Sequence, residues 1–217
     1  MMYVYAVLTV VLAYLLGSIS FAIILSKMFL KKDVREMGSG NAGTTNVMRT
    51  GGFKLGALTF LGDVLKGLVA CLVGELVFEC VFENGDEWAV YGAFLCGIAC
   101  MLGHMFPIFF QFKGGKGIAT SVGIFAICCW PSMVIGLSVF AVGVLLTKIV
   151  SISSIVATFA VVGSTMAFSE IINGTALFWP QAVLACLMGV LVIAKHSSNI
   201  KRLLNGTEKK LTIGKGK

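Results

Sequence analysis

Seven apolar runs, separated by charged residues or turn signals, are the feature that most constrains this chain of 217 residues. Most of the runs approach or exceed the roughly 20 residues that an α-helix needs to cross the hydrocarbon core of a bilayer. We therefore predict an all-α integral membrane protein with seven transmembrane helices. The runs lie at about 3–26, 53–80, 89–110, 118–130, 132–147, 152–171 and 177–194.

The composition leaves little room for a soluble domain. Hydrophobic residues make up 58% of the chain and charged residues 12%, against roughly 45–50% and about 25% in soluble domains. We predict one domain, residues 1–217, and no cleaved signal, because no basic segment precedes the first run. Pro131 leaves the span count open, since a proline marks either a turn between two helices or a kink within one, so six spans is the competing count.

Lys and Arg are strongly segregated along the chain. With seven spans, every one of them lies on one face except Lys54, at the edge of its run, and Lys66. The opposite face carries the acidic loop 83–87. The positive-inside rule then predicts an outside N-terminus and a cytoplasmic C-terminus. Six spans would break this partition, so the charges favour seven.

The net charge of +7 is consequently a property of the cytoplasmic face. Anionic lipid headgroups or anionic substrates are its natural partners, and we expect no nucleic acid. The seven cysteines lie in or beside apolar runs and are small buried hydrophobic residues in this interpretation. We expect neither a metal site nor a cofactor.

A glycine-rich polar loop, residues 38–46, follows the first run. Its glycines allow a tight turn whose backbone N–H groups approach a phosphate, but no strand precedes it, so it is not a dinucleotide-binding loop. A helix starting near Thr44 would bring Asn46 and Arg49 to one face. An ordinary polar connection between helices is the alternative. The candidate anion ligands are Gly38, Ser39, Gly40, Asn41, Thr45, Asn46 and Arg49.

A second loop, residues 113–117, interleaves two lysines with three glycines. Glycine admits close backbone approach and lysine supplies charge, which suits a phosphate. The loop is not a Walker A motif, because Phe110 stands where that motif has its first glycine, so we do not expect an ATPase. Lysines that snorkel at a membrane edge would explain the charge but not the glycines. The candidate ligands are Lys113, Gly114, Gly115, Lys116 and Gly117.

Four further polar residues stand out near the cytoplasmic face or inside an apolar run. His104 and His196 are the two histidines, and Asn199 shares a helical face with His196 if the seventh helix continues past Ala194. Lys66 lies three residues after Asp63 in the second run, which predicts an ion pair within the helix. Lys66 is also a candidate to reach an anionic substrate.

Together these motifs resemble the bacterial membrane glycerol-3-phosphate acyltransferases that use acyl phosphate as the donor. The likeness runs from Leu15 to Leu204, and the chain departs from the common Gly-Ala-Thr-Asn only in having Thr44. The matching segments are Gly17 to Ile19, Gly38 to Asn41, Thr45 to Val47 with Arg49, Asp63 to Gly67, Gly103 and His104 with Pro107, Phe112 to Ala119, and His196 to Leu203.

The resemblance implies acyl transfer from acyl phosphate to the 1-hydroxyl of glycerol 3-phosphate, which yields lysophosphatidic acid and inorganic phosphate for phospholipid biosynthesis. Catalytic roles fall on Ser39, Lys116 and His196, and the substrate-binding roles on the other candidates above. By motif, glycerol 3-phosphate is bound by Ser39, Arg49, Lys116, His196 and Asn199, and acyl phosphate by the loop 38–46 and Gly114–Gly117. The division between the two substrates stays open.

Other functions are less well matched by the chain. The His-x4-Asp acyltransferases are excluded, because Phe109 and Lys201 stand where the aspartate would be. An anion transporter with the same loops would need polar residues along whole helix faces, and the helices outside 38–66 and 104–117 offer few. A purely structural membrane subunit would leave the glycine loops unexplained. The expected location is the bacterial inner membrane, with the active site at the cytoplasmic face.

Overall fold

The computed structural model describes residues 1–83, 85–173 and 179–212, and every regular element in those ranges is helical. Two short 3₁₀ turns, Val34–Glu36 and Ile108–Phe110, and a π-helical turn, Ser26–Leu30, lie between the helices. The α-helices are α1 (Met2–Ser18), α2 (Phe21–Leu25), α3 (Thr44–Gly51), α4 (Phe53–Val81), α5 (Gly85–Met105), α6 (Ile118–Cys128), α7 (Trp130–Thr147), α8 (Val150–Asn173), α9 (Trp179–Lys195) and α10 (Ser197–Leu204).

Each predicted apolar run has become helix, although the bounds differ. The run 3–26 was predicted as one segment, whereas α1 ends at Ser18 and α2 begins at Phe21. The run 89–110 also ends early, at Met105, ahead of Pro107. The chain is not one kinked helix at Pro131: α6 ends at Cys128, and Cys129 has a non-helical backbone. The proline occupies the first turn of α7, where its missing N–H costs nothing.

Four helical stretches among the described residues are long and apolar enough to cross a membrane: Met2–Leu30, Trp88–Phe110, Trp130–Thr147 and Val150–Phe168. A fifth arises if α9 and α10, which are bent by 57°, are taken as one span. Helix α4 is 29 residues long but carries the buried charges Asp63 and Lys66. The count of seven spans therefore stays a prediction.

The chain divides into two compact units, Met1–Ile124 and Phe125–Leu211. A single domain stays a prediction. In the first unit α1, α4 and α5 pack through small residues. A Cβ on Gly17 would overlap the Cys100 carbonyl group. A Cβ on Gly74 or on Gly92 would overlap the carbonyl group of the other glycine. Such contacts let helices approach closely without large side chains between them.

In the second unit α8 packs between α7 and α9. Gly136 and Gly143 of α7 face Val161 and Ser153 of α8. On the other side of α8, Gly189 of α9 faces Val162. Small residues therefore set the helix spacing in this unit as well.

Candidate functional site

Asn46 holds the first glycine loop in its shape. Its buried side-chain amide donates to the carbonyl oxygens of Val34 (2.9 Å), Met37 (2.9 Å) and Asn41 (3.1 Å). The Asn46 Oδ1 accepts the Ser39 N–H at 2.8 Å. Because both ends of the amide are used by the loop, the geometry gives Asn46 a positioning role, and substrate contact by Asn46 stays a prediction.

Two glycines of this loop require the left-handed backbone region. Gly38 has φ +59° and Gly40 has φ +75°, and a Cβ on Gly38 would also overlap the Asn46 amide. Helix α3 begins at Thr44, as predicted. In its first turn the Asn46 N–H donates to the Gly43 carbonyl oxygen at 3.0 Å. The N–H groups that begin a helix favour an anion at its N-terminus.

Polar side chains surround the same place, and they differ in burial. The Thr44 hydroxyl is buried and finds no hydrogen-bond partner among the described residues. Ser39 is exposed, and Asn41, Thr45 and Arg49 are partly exposed. Arg49 lies in the last turn of α3, one turn beyond Asn46.

The second glycine loop lies against His104 at the end of α5. The Gly115 N–H donates to the His104 carbonyl oxygen at 3.1 Å. A Cβ on Gly114 would overlap that carbonyl group, and Gly117 has φ +87°. Of the two lysines, Lys116 is partly buried and Lys113 is exposed.

Gly115 is the point at which the two glycine loops meet. A Cβ there would overlap His104 Nε2 and would lie 2.7 Å from the Ala42 carbonyl oxygen of the first loop. Arg35 makes a second connection between the two loop regions. Its guanidinium donates to the Phe110 carbonyl oxygen at 2.9 Å and to Asp33 at 2.8 Å. The hydrogen bond from Arg35 lowers the pKa of Asp33 to about 2.

Beneath this junction lies a buried cluster of Asp63, Lys66 and His104, each at most 5% exposed. The predicted ion pair is present, with 2.9 Å between Lys66 Nζ and Asp63 Oδ1. Lys66 Nζ also lies 2.9 Å from the Gly17 carbonyl oxygen and 2.8 Å from that of Ile19. Those carbonyl groups border the break between α1 and α2. Lys66 thus joins α4 to the broken first helix, and its reach to a substrate stays a prediction.

His104 completes the cluster. Its Nδ1 lies 3.0 Å from Lys66 Nζ and 3.5 Å from Asp63 Oδ1. An ammonium group only donates, so Nδ1 accepts from Lys66 and the ring proton lies on Nε2. Since Nε2 is the nitrogen that faces Gly115, His104 presents an N–H at the junction of the two loops.

The candidates from the tail lie in the second unit. Helix α9 does not continue past Lys195, so the condition for His196 and Asn199 to share one helical face is not met. His196 instead stands at the bend as the residue before α10, 2% exposed. Its Nδ1 lies 2.8 Å from the Val192 carbonyl oxygen. A carbonyl oxygen only accepts, so Nδ1 carries a proton, and in the neutral ring Nε2 then has the lone pair.

Asn199 donates its amide to Glu208 Oε1 at 2.6 Å. Ser151 also donates to Oε1, at 2.8 Å, and Arg202 donates to Oε2 at 2.6 Å. Burial opposes the charge on Glu208, but these three hydrogen bonds outweigh it and hold the pKa below its usual value. Sequence reasoning missed Glu208, and the available signal was a single acidic residue in an otherwise basic tail.

Residues 7–206 match the family model described as glycerol-3-phosphate acyltransferase. The chain belongs to the glycerol-3-phosphate acyltransferase family. A family member from Bacillus anthracis, named glycerol-3-phosphate acyltransferase 2, is 40% identical over 94% of this chain and 98% of its own. Another, from Thermoanaerobacter pseudethanolicus, is 44% identical over 95% and 96%.

Solved structures of the family agree with the fold. One is the glycerol 3-phosphate form of PlsY (YgiH), an integral membrane glycerol 3-phosphate acyltransferase. It is 34% identical, covers 95% of this chain and 96% of its own, and superposes with a TM-score of 0.82. The lysophosphatidic acid form of PlsY gives a TM-score of 0.79 over 94% of each chain. The family and the all-helical membrane fold predicted from the sequence are confirmed.

Proposed function

We propose that this protein transfers an acyl group from acyl phosphate to the 1-hydroxyl of glycerol 3-phosphate, giving lysophosphatidic acid and inorganic phosphate. The observation that carries the proposal is the meeting of two glycine loops at Gly115, beside the His104 ring. Both substrates are phosphates, and two loops of this kind can hold two anions within reach of one another. Membership of the family supports the same reaction.

The chemistry needs an electrophile, a nucleophile and a way to hold two anions together. The glycerol hydroxyl oxygen attacks the acyl carbon, and the bond from that carbon to the phosphate oxygen breaks. The departing phosphate takes up the hydroxyl proton and leaves as inorganic phosphate. Phosphate is a good leaving group, so positioning and charge stabilisation carry most of the catalysis. A lysine and backbone N–H groups aimed at the phosphates supply that stabilisation.

We keep the division of residues that the motifs imply. Ser39, Arg49, Lys116, His196 and Asn199 bind glycerol 3-phosphate, and the loop 38–46 with Gly114–Gly117 binds the acyl phosphate group. In this proposal Lys116 and Ser39 act directly on the substrates. Lys66 supports the loops through His104, and the His104 Nε2–H donates toward a phosphate oxygen.

The donor is the sharpest test of the reaction. Purified protein should form lysophosphatidic acid from glycerol 3-phosphate when acyl phosphate is the donor. It should form none when acyl-CoA or acylated acyl carrier protein is the donor at equal concentration. The product is measured by mass spectrometry, with release of inorganic phosphate as an independent count. Equal or faster turnover with acyl-CoA would refute the donor while leaving the acyltransferase family intact.

We also propose seven spans in the bacterial inner membrane, with the N-terminus outside and both glycine loops at the cytoplasmic face. The segregation of Lys and Arg supports this orientation. On a variant whose native cysteines are replaced, a cysteine at position 85 should react with an impermeant reagent from outside, and one at position 207 only from the cytoplasmic side. The reverse labelling pattern would refute the proposed orientation.

A further inference from the structure

The Glu208 carboxylate brings together three parts of the second unit. Ser151 lies at the start of α8, Asn199 and Arg202 lie in α10, and Glu208 follows α10 in the tail. All three donate to this carboxylate at 2.6–2.8 Å, and its side chain is 9% exposed. Hydrogen bonds of this length to a charged acceptor are the strong ones in proteins.

The tail is held by its backbone on both sides of Glu208. The Thr207 N–H donates to the Arg202 carbonyl oxygen at 2.8 Å, and the Leu211 N–H donates to the Lys148 carbonyl oxygen at 2.6 Å. Glu208 is therefore a fixed partner of Asn199.

A carboxylate has only acceptors, and this settles which way the Asn199 amide is turned. The Nδ2 branch must face Glu208, so the carbonyl branch, Oδ1, is directed away from it. A carbonyl oxygen suits a hydroxyl donor and repels a phosphate oxygen. If Asn199 were turned by half a rotation, it would set Oδ1 against the carboxylate and offer only N–H groups to a ligand.

We propose that Glu208 is a positioning residue for the acceptor: it fixes the Asn199 amide so that Oδ1 accepts a hydrogen bond from a hydroxyl of glycerol 3-phosphate. This inference rests on the proposed function, because it takes glycerol 3-phosphate as the acceptor. It differs from the motif assignment in naming the atom of Asn199 and the part of the substrate that it contacts.

In a competing role, the Glu208 carboxylate would occupy the Asn199 amide in place of the substrate phosphate. Glycerol 3-phosphate would then have to displace the carboxylate in order to bind. Both Glu208 oxygens are already hydrogen-bonded, and Arg202 balances the charge. The two roles predict opposite signs. Removal of a positioning residue raises the KM for the acceptor, and removal of a competitor lowers it.

The first experiment compares Glu208→Ala with Thr207→Ala, a matched change in the same tail that touches no bond to Asn199. We expect the KM for glycerol 3-phosphate to rise about tenfold in Glu208→Ala, the effect of losing roughly one hydrogen bond to a charged group. The KM for acyl phosphate should stay within about twofold, and Thr207→Ala should match the wild type. Thermal unfolding midpoints accompany both variants.

The second experiment tests the orientation of the amide. Asn199→Asp places two carboxylates in contact and should raise the acceptor KM further. Adding Glu208→Gln restores a donor opposite the new carboxylate, which still offers an acceptor oxygen to the substrate. The double variant should therefore recover most of the lost affinity for glycerol 3-phosphate.

Three results would overturn the inference: a lower acceptor KM in Glu208→Ala, an unchanged one, or equal rises in the KM values for both substrates together with a lower unfolding midpoint. Calorimetric binding of glycerol 3-phosphate to the same variants separates this question from the reaction. If the wild type binds glycerol 3-phosphate and Glu208→Ala binds it about tenfold more weakly, the inference stands even where acyl phosphate fails as the donor.

Discussion

Asp63 and Glu208 are both largely buried carboxylates that face a cation, yet they are held in different ways. Both oxygens of Glu208 accept hydrogen bonds, and its partners lie at the start of α8 and in α10. Asp63 lies in the middle of α4, 1% exposed, and its Oδ1 accepts no aligned hydrogen bond from a described residue although Lys66 Nζ is 2.9 Å away.

The difference indicates what each carboxylate contributes. Asp63 is balanced by charge in a buried setting, where removing one partner leaves an ion with no compensation. Glu208 is balanced by directed hydrogen bonds near the end of the chain, so its main effect is on the orientation of its neighbours. We therefore expect changes at the first cluster to appear as lost stability and changes at the second as altered kinetics.

Lys66→Met should have the largest effect, because it leaves Asp63 buried without its cation. Breaking a buried ion pair in this way costs about 3–5 kcal/mol. Thermal unfolding in detergent should show a clear drop, and Asp63→Asn combined with Lys66→Met should recover part of it. A single variant as stable as the wild type would break the contrast between the two clusters.

Lys116→Ala should come next, with an effect on rate rather than on stability. Loss of one preorganised charge-stabilising contact costs about 10²–10³ in turnover. Lys113 is exposed, so Lys113→Ala is the matched control and should lose much less. Near-wild-type turnover by a well-folded Lys116→Ala protein would remove Lys116 from the catalytic group.

Asp33 is a third carboxylate, and like Glu208 it is held by hydrogen bonds. Its contribution to stability can be tested by changing the pH. Its pKa is about 2 in the folded protein, below the ordinary 3.8, because Arg35 donates to it. Its contribution to stability, about 2 kcal/mol, is complete above the ordinary value and is lost as the pH falls from near 4 toward 2. Unfolding midpoints measured across this window should fall less steeply for Asp33→Asn, and parallel curves would contradict the assignment.

His196→Asn should have the smallest effect of the four. The Val192 carbonyl group fixes the tautomer, so Nε2 can accept a hydrogen bond from the acceptor hydroxyl. Lys201, and not an aspartate, stands at the motif position that would orient the His196 imidazole, so we expect an anchor and not a base. The KM for glycerol 3-phosphate should rise about tenfold while the acidic limb of the pH–rate profile, near the ordinary histidine pKa of about 6.5, survives. A lowered kcat with unchanged KM and no acidic limb would make His196 the base.

The sequence predicted the helices well because hydropathy and charge report on single segments. It predicted α3 from Thr44, the two glycine loops and the ion pair of Asp63 with Lys66. The break at Ile19 was missed, because the hydropathy of the run 3–26 carries no record of the lysine, 47 residues later, that binds its carbonyl oxygen. The bend at His196 was missed for a similar reason, since nothing in the residue pattern separates a continued helix from one that stops.

The predicted site residues also divide into those that a single segment determines and those that depend on a distant contact. Motif position assigned Ser39 and Lys116 to the two glycine loops and Arg49 to the helix after the first loop. It could not show that the Asn46 amide donates to the carbonyl groups of Val34, Met37 and Asn41. Nor could it pair Asn199 with Glu208, because that contact depends on how the tail turns after α10. Roles that depend on one side chain facing another need coordinates.

The break between α1 and α2 also bears on how the protein is made. Its open carbonyl groups, at Gly17 and Ile19, precede Lys66 by 49 and 47 residues and therefore reach the membrane first, where lipid offers them no donor. The charged Lys66 side chain is in turn unfavourable in lipid until it binds these carbonyl groups. We expect the docking of α4 on the broken first helix to be an early event of membrane insertion, with His104 arriving later on a platform that is already neutral and closed to lipid.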